Sequence, residues 1–223
     1  MNIYPVAKRC FGEVRDIREF VQPWSLPVVE LAETLRRPTL EETITACWDW
    51  VARNIDYPPG PLEKMDRHYR EAFLSSGRLL TLPNLPGFRS TVYDHWGFPA
   101  ETLALGMGDC DDSATLLTSL LRNFLPEDKV FATAGLFGRW GGHVWVTAYG
   151  SGAFVLEATL AEALPGPWVI PEEEPYTPII RFNDQRVVEV RELPAGFLSG
   201  RLSSNGALQA VASFYRSLGR PRG

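Results

Sequence analysis

The chain has 223 residues, 45% of them hydrophobic and 12% aromatic, and a formal net charge of −5. This composition supports a sizeable core and argues against global disorder. The basic residues form no stripe of the kind that binds nucleic acid, so we expect no nucleic-acid partner. No long apolar run occurs, so we also expect no membrane span.

The N-terminal segment and the cysteines bear on the cellular location of the protein. The first 20 residues are charged and mixed and lack the apolar segment of a secretory signal, so we expect a cytoplasmic protein. A secreted or periplasmic location would require a leader removed before the numbering begins. Cys10, Cys47 and Cys110 are odd in number and lack metal-ligand spacing, so neither a disulfide scaffold nor a zinc site is predicted.

The first part of the chain reads as a wrapping segment followed by a helix. Residues 1–40 are proline-punctuated and mostly extended, with one or two helical turns predicted across 28–37. Thr39 and Glu42 have the spacing of a capping box, which predicts a helix running to about Ile55. Cys47 lies on the apolar stripe of that helix, so we interpret it as a core residue.

The middle of the chain leads up to Cys110. A helix is possible over 62–74, and 91–96 reads as a strand or extended loop. Pro99 begins a short helix that ends at Gly106, the usual placement of proline and glycine at helix ends. A glycine-containing loop then brings Cys110 to the first turn of the next helix.

The helix that begins at Cys110 is predicted to be amphipathic. The stripe predicted to enter the core contains Cys110, Ala114, Leu117, Leu121 and Phe124. The opposite stripe, predicted to face away, contains Asp112, Thr115, Ser119 and Arg122. A helix N-terminus lowers a thiol's pKa and offers N–H donors to an oxyanion. The alternative is an inert buried cysteine, the more common situation for this residue type.

After this helix the hydrophobic period changes from helical to alternating. Strands are predicted over 130–137, 143–149, 154–159, 179–182 and 187–191, and a final helix over 207–218. The proline-rich stretch 165–178, with Glu172 to Glu174, is predicted to be a solvated loop. Helices followed by antiparallel strands predict an α+β fold.

His143 and Glu157 lie on the two strands of one predicted hairpin. If Gly150 to Gly152 is a three-residue loop, Tyr149 pairs with Ala153, and His143 and Glu157 become diagonal neighbours on one face. A two-residue loop would place them on opposite faces. Each residue alone also has a structural reading, as a strand histidine or a solvent-facing acid.

Three short motifs around these residues resemble those of one superfamily. They are Gly-Asp-Cys-Asp-Asp at 108–112, Gly-His-Val-Trp-Val at 142–146 and Leu-Glu-Ala-Thr at 156–159. Together they resemble the signature blocks of the transglutaminase-like superfamily, which has a papain-like α+β fold. Residues 48–57 and 96–103 are similar to the upstream helix and the lead-in of its bacterial cysteine proteinases, so the resemblance covers about 41–160.

The resemblance implies a catalytic triad. Cys110 would be the nucleophile, His143 the base and Glu157 the orienting acid, although aspartate is commoner than glutamate at the third place. The oxyanion would be bound by the N–H of Cys110 and a second donor from upstream. Trp96, Tyr93 and His95 are the candidates for that donor.

The acids flanking the cysteine have two interpretations. Asp109, Asp111 and Asp112 are favourable as caps at a helix N-terminus, yet their charges oppose a thiolate at Cys110. In the bacterial proteinases such acids form a calcium site, which here maps to Asp109 and Asp111. No cofactor is required by the predicted chemistry; calcium is possible.

The sequence therefore predicts a thiol hydrolase that acts on peptide or amide bonds in a peptide or protein substrate. Acyl transfer to an amine and a non-catalytic interaction module that retains the fold are the alternatives. We expect one domain over 1–223, comprising the wrapping segment (1–40), a catalytic core (41–160) and C-terminal strands and helix (161–223).

Overall fold

The computed structural model describes residues 6–8, 14–58, 96–138, 141–150, 152–159, 169–172 and 175–190. The predicted helices over 62–74 and 207–218 lie outside the described residues, as does 91–95 of the predicted strand. The predicted division into three segments of one domain stays a prediction. None of the helices in the described ranges combines the length and apolarity needed to span a membrane.

The described residues begin with two short strands and a 3₁₀ turn, followed by a helix that is longer than the sequence predicted. Strands β1 (Val6–Lys8) and β2 (Val14–Asp16) pair antiparallel, and a 3₁₀ turn follows directly. Helix α1 (Leu26–Leu35) has three turns where the sequence predicted one or two in an extended segment. Proline in its first turn is compatible with a helix start, and its buried residues recur at helical spacing.

Helix α2 (Leu40–Asn54) forms as its capping box predicts. The backbone N–H of Glu42 donates to Thr39 Oγ1 at 3.2 Å, and the backbone N–H of Thr39 donates to Glu42 Oε2 at 3.1 Å. Its buried stripe includes Cys47, Trp48 and Val51, the last two 2% and 1% exposed. Helix α3 (Pro99–Leu105) ends at Gly106, as predicted.

The sheet is antiparallel throughout its six described strands, which confirms the α+β class. Its order is β6-β5-β4-β3-β7-β8. The strands are β3 (Val130–Phe137), β4 (Gly141–Tyr149), β5 (Ala153–Leu156), β6 (Val169–Pro171), β7 (Tyr176–Phe182) and β8 (Val187–Glu189). The stretch 165–178, predicted to be a solvated loop, thus contains β6 and the start of β7.

Helix α4 (Cys110–Leu121) lies between the other helices and the sheet. It contacts α1, α2 and α3 as well as β3 and β4, and all of its residues are buried. The predicted outward stripe is therefore wrong for Asp112, Thr115 and Ser119, because neighbours cover both sides of the helix. The buried hydroxyls of Thr115 and Ser119 donate to carbonyls one turn earlier, which satisfies them within the helix.

Candidate active site

The loop before Cys110 is fixed to the end of α2. The backbone N–H of Asp56 donates to the carbonyl of Gly106 at 2.9 Å, and the N–H of Gly108 donates to the carbonyl of Asp56 at 3.0 Å. Gly106 has φ of +62°, a conformation that glycine adopts without steric cost. These two bonds determine the point at which the chain enters α4.

Cys110 is the first residue of α4, as predicted, and is 7% exposed. Asp112, the third residue of the helix, accepts from the backbone N–H of Gly97 at 2.7 Å and of Asp109 at 3.2 Å. A Cβ at Gly108 would lie 2.6 Å from Asp112 Cβ, so this loop requires glycine for the close approach. The Asp112 carboxylate therefore links the segment before α3 to the start of the cysteine helix.

The hairpin β4–β5 has the register that a three-residue loop predicts. Tyr149 pairs with Ala153 and Val146 with Leu156, so the next pair in register would join Trp145 to Glu157. Glu157 directly follows the last residue of β5, and His143 is diagonal to it. The predicted geometry of this pair is confirmed, with the acid just beyond the strand rather than within it.

His143 and Glu157 form a buried hydrogen-bonded pair. His143 Nε2 lies 2.8 Å from Glu157 Oε2, and the two side chains are 3% and 1% exposed. An ionised carboxylate only accepts, so Nε2 carries the proton when Glu157 is charged. In the neutral imidazole, Nδ1 is then the basic nitrogen.

Glu157 is held by further contacts from three parts of the chain. The hydroxyl of Tyr176 on β7 donates to Oε2 at 3.1 Å, and the backbone N–H of Thr159 donates to Oε1 at 3.0 Å. The indole N–H of Trp48 on α2 donates to the backbone carbonyl of Glu157 at 2.8 Å. Backbone and carboxylate of this residue are thus both fixed. No local sequence pattern links either Trp48 or Tyr176 to Glu157.

Aromatic rings surround the imidazole of His143. The Trp145 ring lies roughly parallel to it at 6.0 Å between centroids, and the Phe137 ring meets it edge-on at 5.8 Å. Tyr176 contacts both of these rings, at 5.1 Å and 4.9 Å. Val144, which alternates with His143 and Trp145 along β4, instead belongs to the core cluster shared with α4.

Glu172 lies under this aromatic group rather than in solvent. Its Oε1 accepts from the Trp145 indole N–H at 2.9 Å and from the Thr147 hydroxyl at 2.7 Å, while Oε2 pairs with Arg181. The Glu172 side chain is 3% exposed and that of Arg181 is 13% exposed. The prediction of a solvated acid at Glu172 is therefore wrong, because Arg181 on β7 compensates its charge.

Of the three candidate oxyanion residues, Trp96 is within the described part of the chain. Trp96 is 9% exposed, and its ring packs against Phe20 and Phe182 at 5.4 Å and 5.9 Å. It directly precedes Gly97, which is bonded to Asp112, so its backbone is held beside the start of α4. Tyr93 and His95 lie outside the described residues.

Asp109, Cys110 and Asp111 bring three potential metal ligands together. One ligand atom from each side chain lies within 4.8 Å of the others, and all three residues are buried. The two carboxylates suit a hard cation such as calcium, whereas a thiol does not. The donor set therefore fits calcium through Asp109 and Asp111, with backbone carbonyls and water required to complete six to eight oxygens.

Cys47, the second described thiol, has a different environment. Burial raises the pKa of Cys47 to about 12, and the charge of Arg37 offsets this only in part. A thiol in this state is unreactive at neutral pH. Its reading as a core residue is confirmed.

Comparison with models of known families and with curated protein sequences gives no match. Three solved structures of Legionella pneumophila LapG are similar in fold. The calcium-bound structure has 16% identity, a TM-score of 0.47, and coverage of 74% of this chain and 76% of LapG. The EGTA-treated structure has 14% identity and a TM-score of 0.49. A third LapG structure has 16% identity and a TM-score of 0.46. Both matches cover 85% of this chain and 86% of LapG. At this level of identity the likeness concerns the fold alone.

Proposed function

We propose that the protein is a thiol hydrolase of the transglutaminase-like type, which cleaves peptide or amide bonds through Cys110, His143 and Glu157. The buried hydrogen bond between His143 and Glu157 carries this proposal. An ionisable pair held out of water costs free energy, and catalysis is one reason to retain it. Cys110, at the start of a central helix, would be the nucleophile of this proposal.

The hydrogen bond from His143 to Glu157 supports one order of proton transfers. Because Nε2 is directed at Glu157, Nδ1 would accept the proton of the Cys110 thiol. The thiolate would attack the amide carbonyl, and the imidazolium would return its proton to the leaving amine. Water would then hydrolyse the thioester, with His143 as base, and restore the thiol.

The surroundings of Cys110 and His143 would stabilise the charges of this cycle. The N-terminus of α4 favours negative charge at Cys110, and its backbone N–H would donate to the oxyanion. A second donor would come from the upstream segment, for which Trp96, Tyr93 and His95 remain the candidates. Glu157 would stabilise the imidazolium and fix its tautomer.

Calcium is proposed as a ligand of Asp109 and Asp111. These buried acids flank Cys110, and their charges oppose its thiolate. A bound cation would offset them and hold the loop before α4. The thiol chemistry itself would require no cofactor.

The substrate would be a peptide or protein, with no nucleic acid or membrane partner, and the cytoplasm is the proposed location. With an amine in place of water, the same acyl-enzyme would give transamidation. A non-catalytic interaction module is a further alternative, favoured by the burial of Cys110.

The proposal is tested by the rate at which iodoacetamide alkylates Cys110, resolved by mass spectrometry, in the wild type and His143→Ala. We expect rapid labelling well below the pKa of an ordinary thiol, and its loss in the variant. Cys47 in the same sample is an internal control for a buried thiol. Slow labelling of Cys110 in both proteins would contradict the proposal, and a rate independent of calcium and EGTA would contradict the calcium site.

A further inference from the structure

Tyr176 reaches Glu157 across the two intervening strands β3 and β4. It is the first residue of β7 and pairs with Phe137 on β3, while Glu157 follows β5 at the other side of β4. In a flat sheet, three strand spacings would separate the two backbones by about 14 Å. The 3.1 Å bond between Tyr176 Oη and Glu157 Oε2 therefore closes over the face that carries His143.

The tyrosine and the histidine share one carboxylate oxygen. Oε2 of Glu157 accepts from both side chains, and Oε1 accepts from the backbone N–H of Thr159. A glutamate has one more rotatable bond than the aspartate that is common in this place, so its carboxylate has more orientations to restrict. Three donors on its two oxygens restrict this carboxylate, which is 1% exposed.

We propose that Tyr176 is a positioning residue that acts through Glu157: its hydroxyl holds Oε2 against His143 Nε2 and so keeps the imidazole in one tautomer. Tyr176 touches no substrate in this role. The inference rests on the proposed function for its catalytic meaning. The stabilisation of the His143–Glu157 pair by Tyr176 does not depend on the reactivity of Cys110.

The test compares Tyr176→Phe with Tyr149→Phe. Each variant removes one hydroxyl and keeps the ring, and Tyr149 packs against Phe131 and Arg181 on the same sheet. The first measurement is the exchange of the His143 Nε2–H with water by proton NMR. Assignment uses His143→Ala, since the chain has three histidines. We expect exchange to accelerate about ten- to hundredfold in Tyr176→Phe and to stay unchanged in Tyr149→Phe.

The second measurement is a double-mutant cycle on Cys110 alkylation at one pH. Tyr176→Phe should slow alkylation about tenfold in the wild-type background and should have no further effect in the Glu157→Gln background. Both substitutions disrupt the same hydrogen bonds, from Tyr176 to Glu157 and from Glu157 to His143. Equal exchange rates in Tyr176→Phe and the wild type, or full additivity with Glu157→Gln, would overturn the inference. If wild-type Cys110 proves unreactive while the exchange effect is present, the proposed function fails and the positioning by Tyr176 stands.

Discussion

The indole N–H of Trp48 donates a 2.8 Å hydrogen bond to the backbone carbonyl of Glu157, 109 residues further along the chain. Both residues are almost fully buried, so no water replaces the bond if it is broken. Helix α2 thereby sets the position of the Glu157 backbone beyond the end of β5.

Replacement of Trp48 by phenylalanine should destabilise the protein. It leaves the Glu157 carbonyl without its donor and removes buried ring volume, which together should cost about 2–4 kcal/mol. Urea unfolding gives the free energy. Trp50→Phe, on the same helix and half-buried, is the control and should cost less. Equal losses in the two variants would show that ring volume alone matters at Trp48.

Glu157→Asp should slow the alkylation of Cys110, even though the substitution keeps the negative charge. Trp48 fixes the Glu157 backbone, so a side chain shorter by one methylene withdraws from His143 and Tyr176. We expect a rate lower by about tenfold or more. The measurement is site-resolved alkylation beside Glu157→Gln. A wild-type rate in Glu157→Asp would mean that the backbone moves to compensate.

Glu172→Gln should be strongly destabilising. The substitution leaves the largely buried guanidinium of Arg181 without its counter-charge. Loss of one partner of a fully buried pair costs about 3–5 kcal/mol, and we expect a cost near the lower end because Arg181 is partly exposed. Urea unfolding at neutral pH measures the effect. The matched control is Glu33→Gln, whose partner Arg36 lies on the surface, where no measurable change is expected. Similar stabilities for the two variants would contradict the buried pair.

The thiol of Cys47 should make stability fall at alkaline pH. Burial raises the pKa of Cys47 to about 12 in the folded protein, whereas in the unfolded chain it ionises near 9. Between these values the unfolded state loses a proton that the folded state retains. The free energy of unfolding should therefore fall by at most about 1.4 kcal/mol per pH unit. The loss is absent below about pH 8.

The measurement is urea unfolding between pH 8 and 10.5 in reducing buffer, for the wild type and Cys47→Ala. The difference between the two proteins removes the contributions of the other titrating groups. A difference that does not change with pH would refute the assigned cause.

The sequence was informative where the determining interactions are local. The capping box of Thr39 and Glu42 identifies the start of α2, and the glycines at 150 and 152 allow the three-residue loop whose register is observed. That register alone places His143 diagonal to Glu157, because side chains alternate along strands. Local spacing thus left two loop lengths open, and the observed register is that of the loop that brings the pair together.

Contacts between distant segments could not be predicted in this way. Glu172 reads as a loop acid until Arg181 is placed beside it, and Asp112 reads as an outward residue until Gly97 reaches it. Tyr176, in a proline-rich stretch, has no sequence pattern that connects it to Glu157. Each of these errors arises because packing of remote elements overrides local hydrophobic periodicity.

The support of Glu157 has a consequence for folding. His143 and Glu157 are 14 residues apart, so their hairpin forms by local contacts, whereas Trp48 and Tyr176 join it from 109 residues upstream and 19 downstream. Long-range contacts close later and at greater entropic cost than local ones. A nascent or truncated chain would therefore carry the histidine–acid pair without the bonds that order it. The proposed chemistry would then arise only on completion of the tertiary structure, and the nascent chain would lack it.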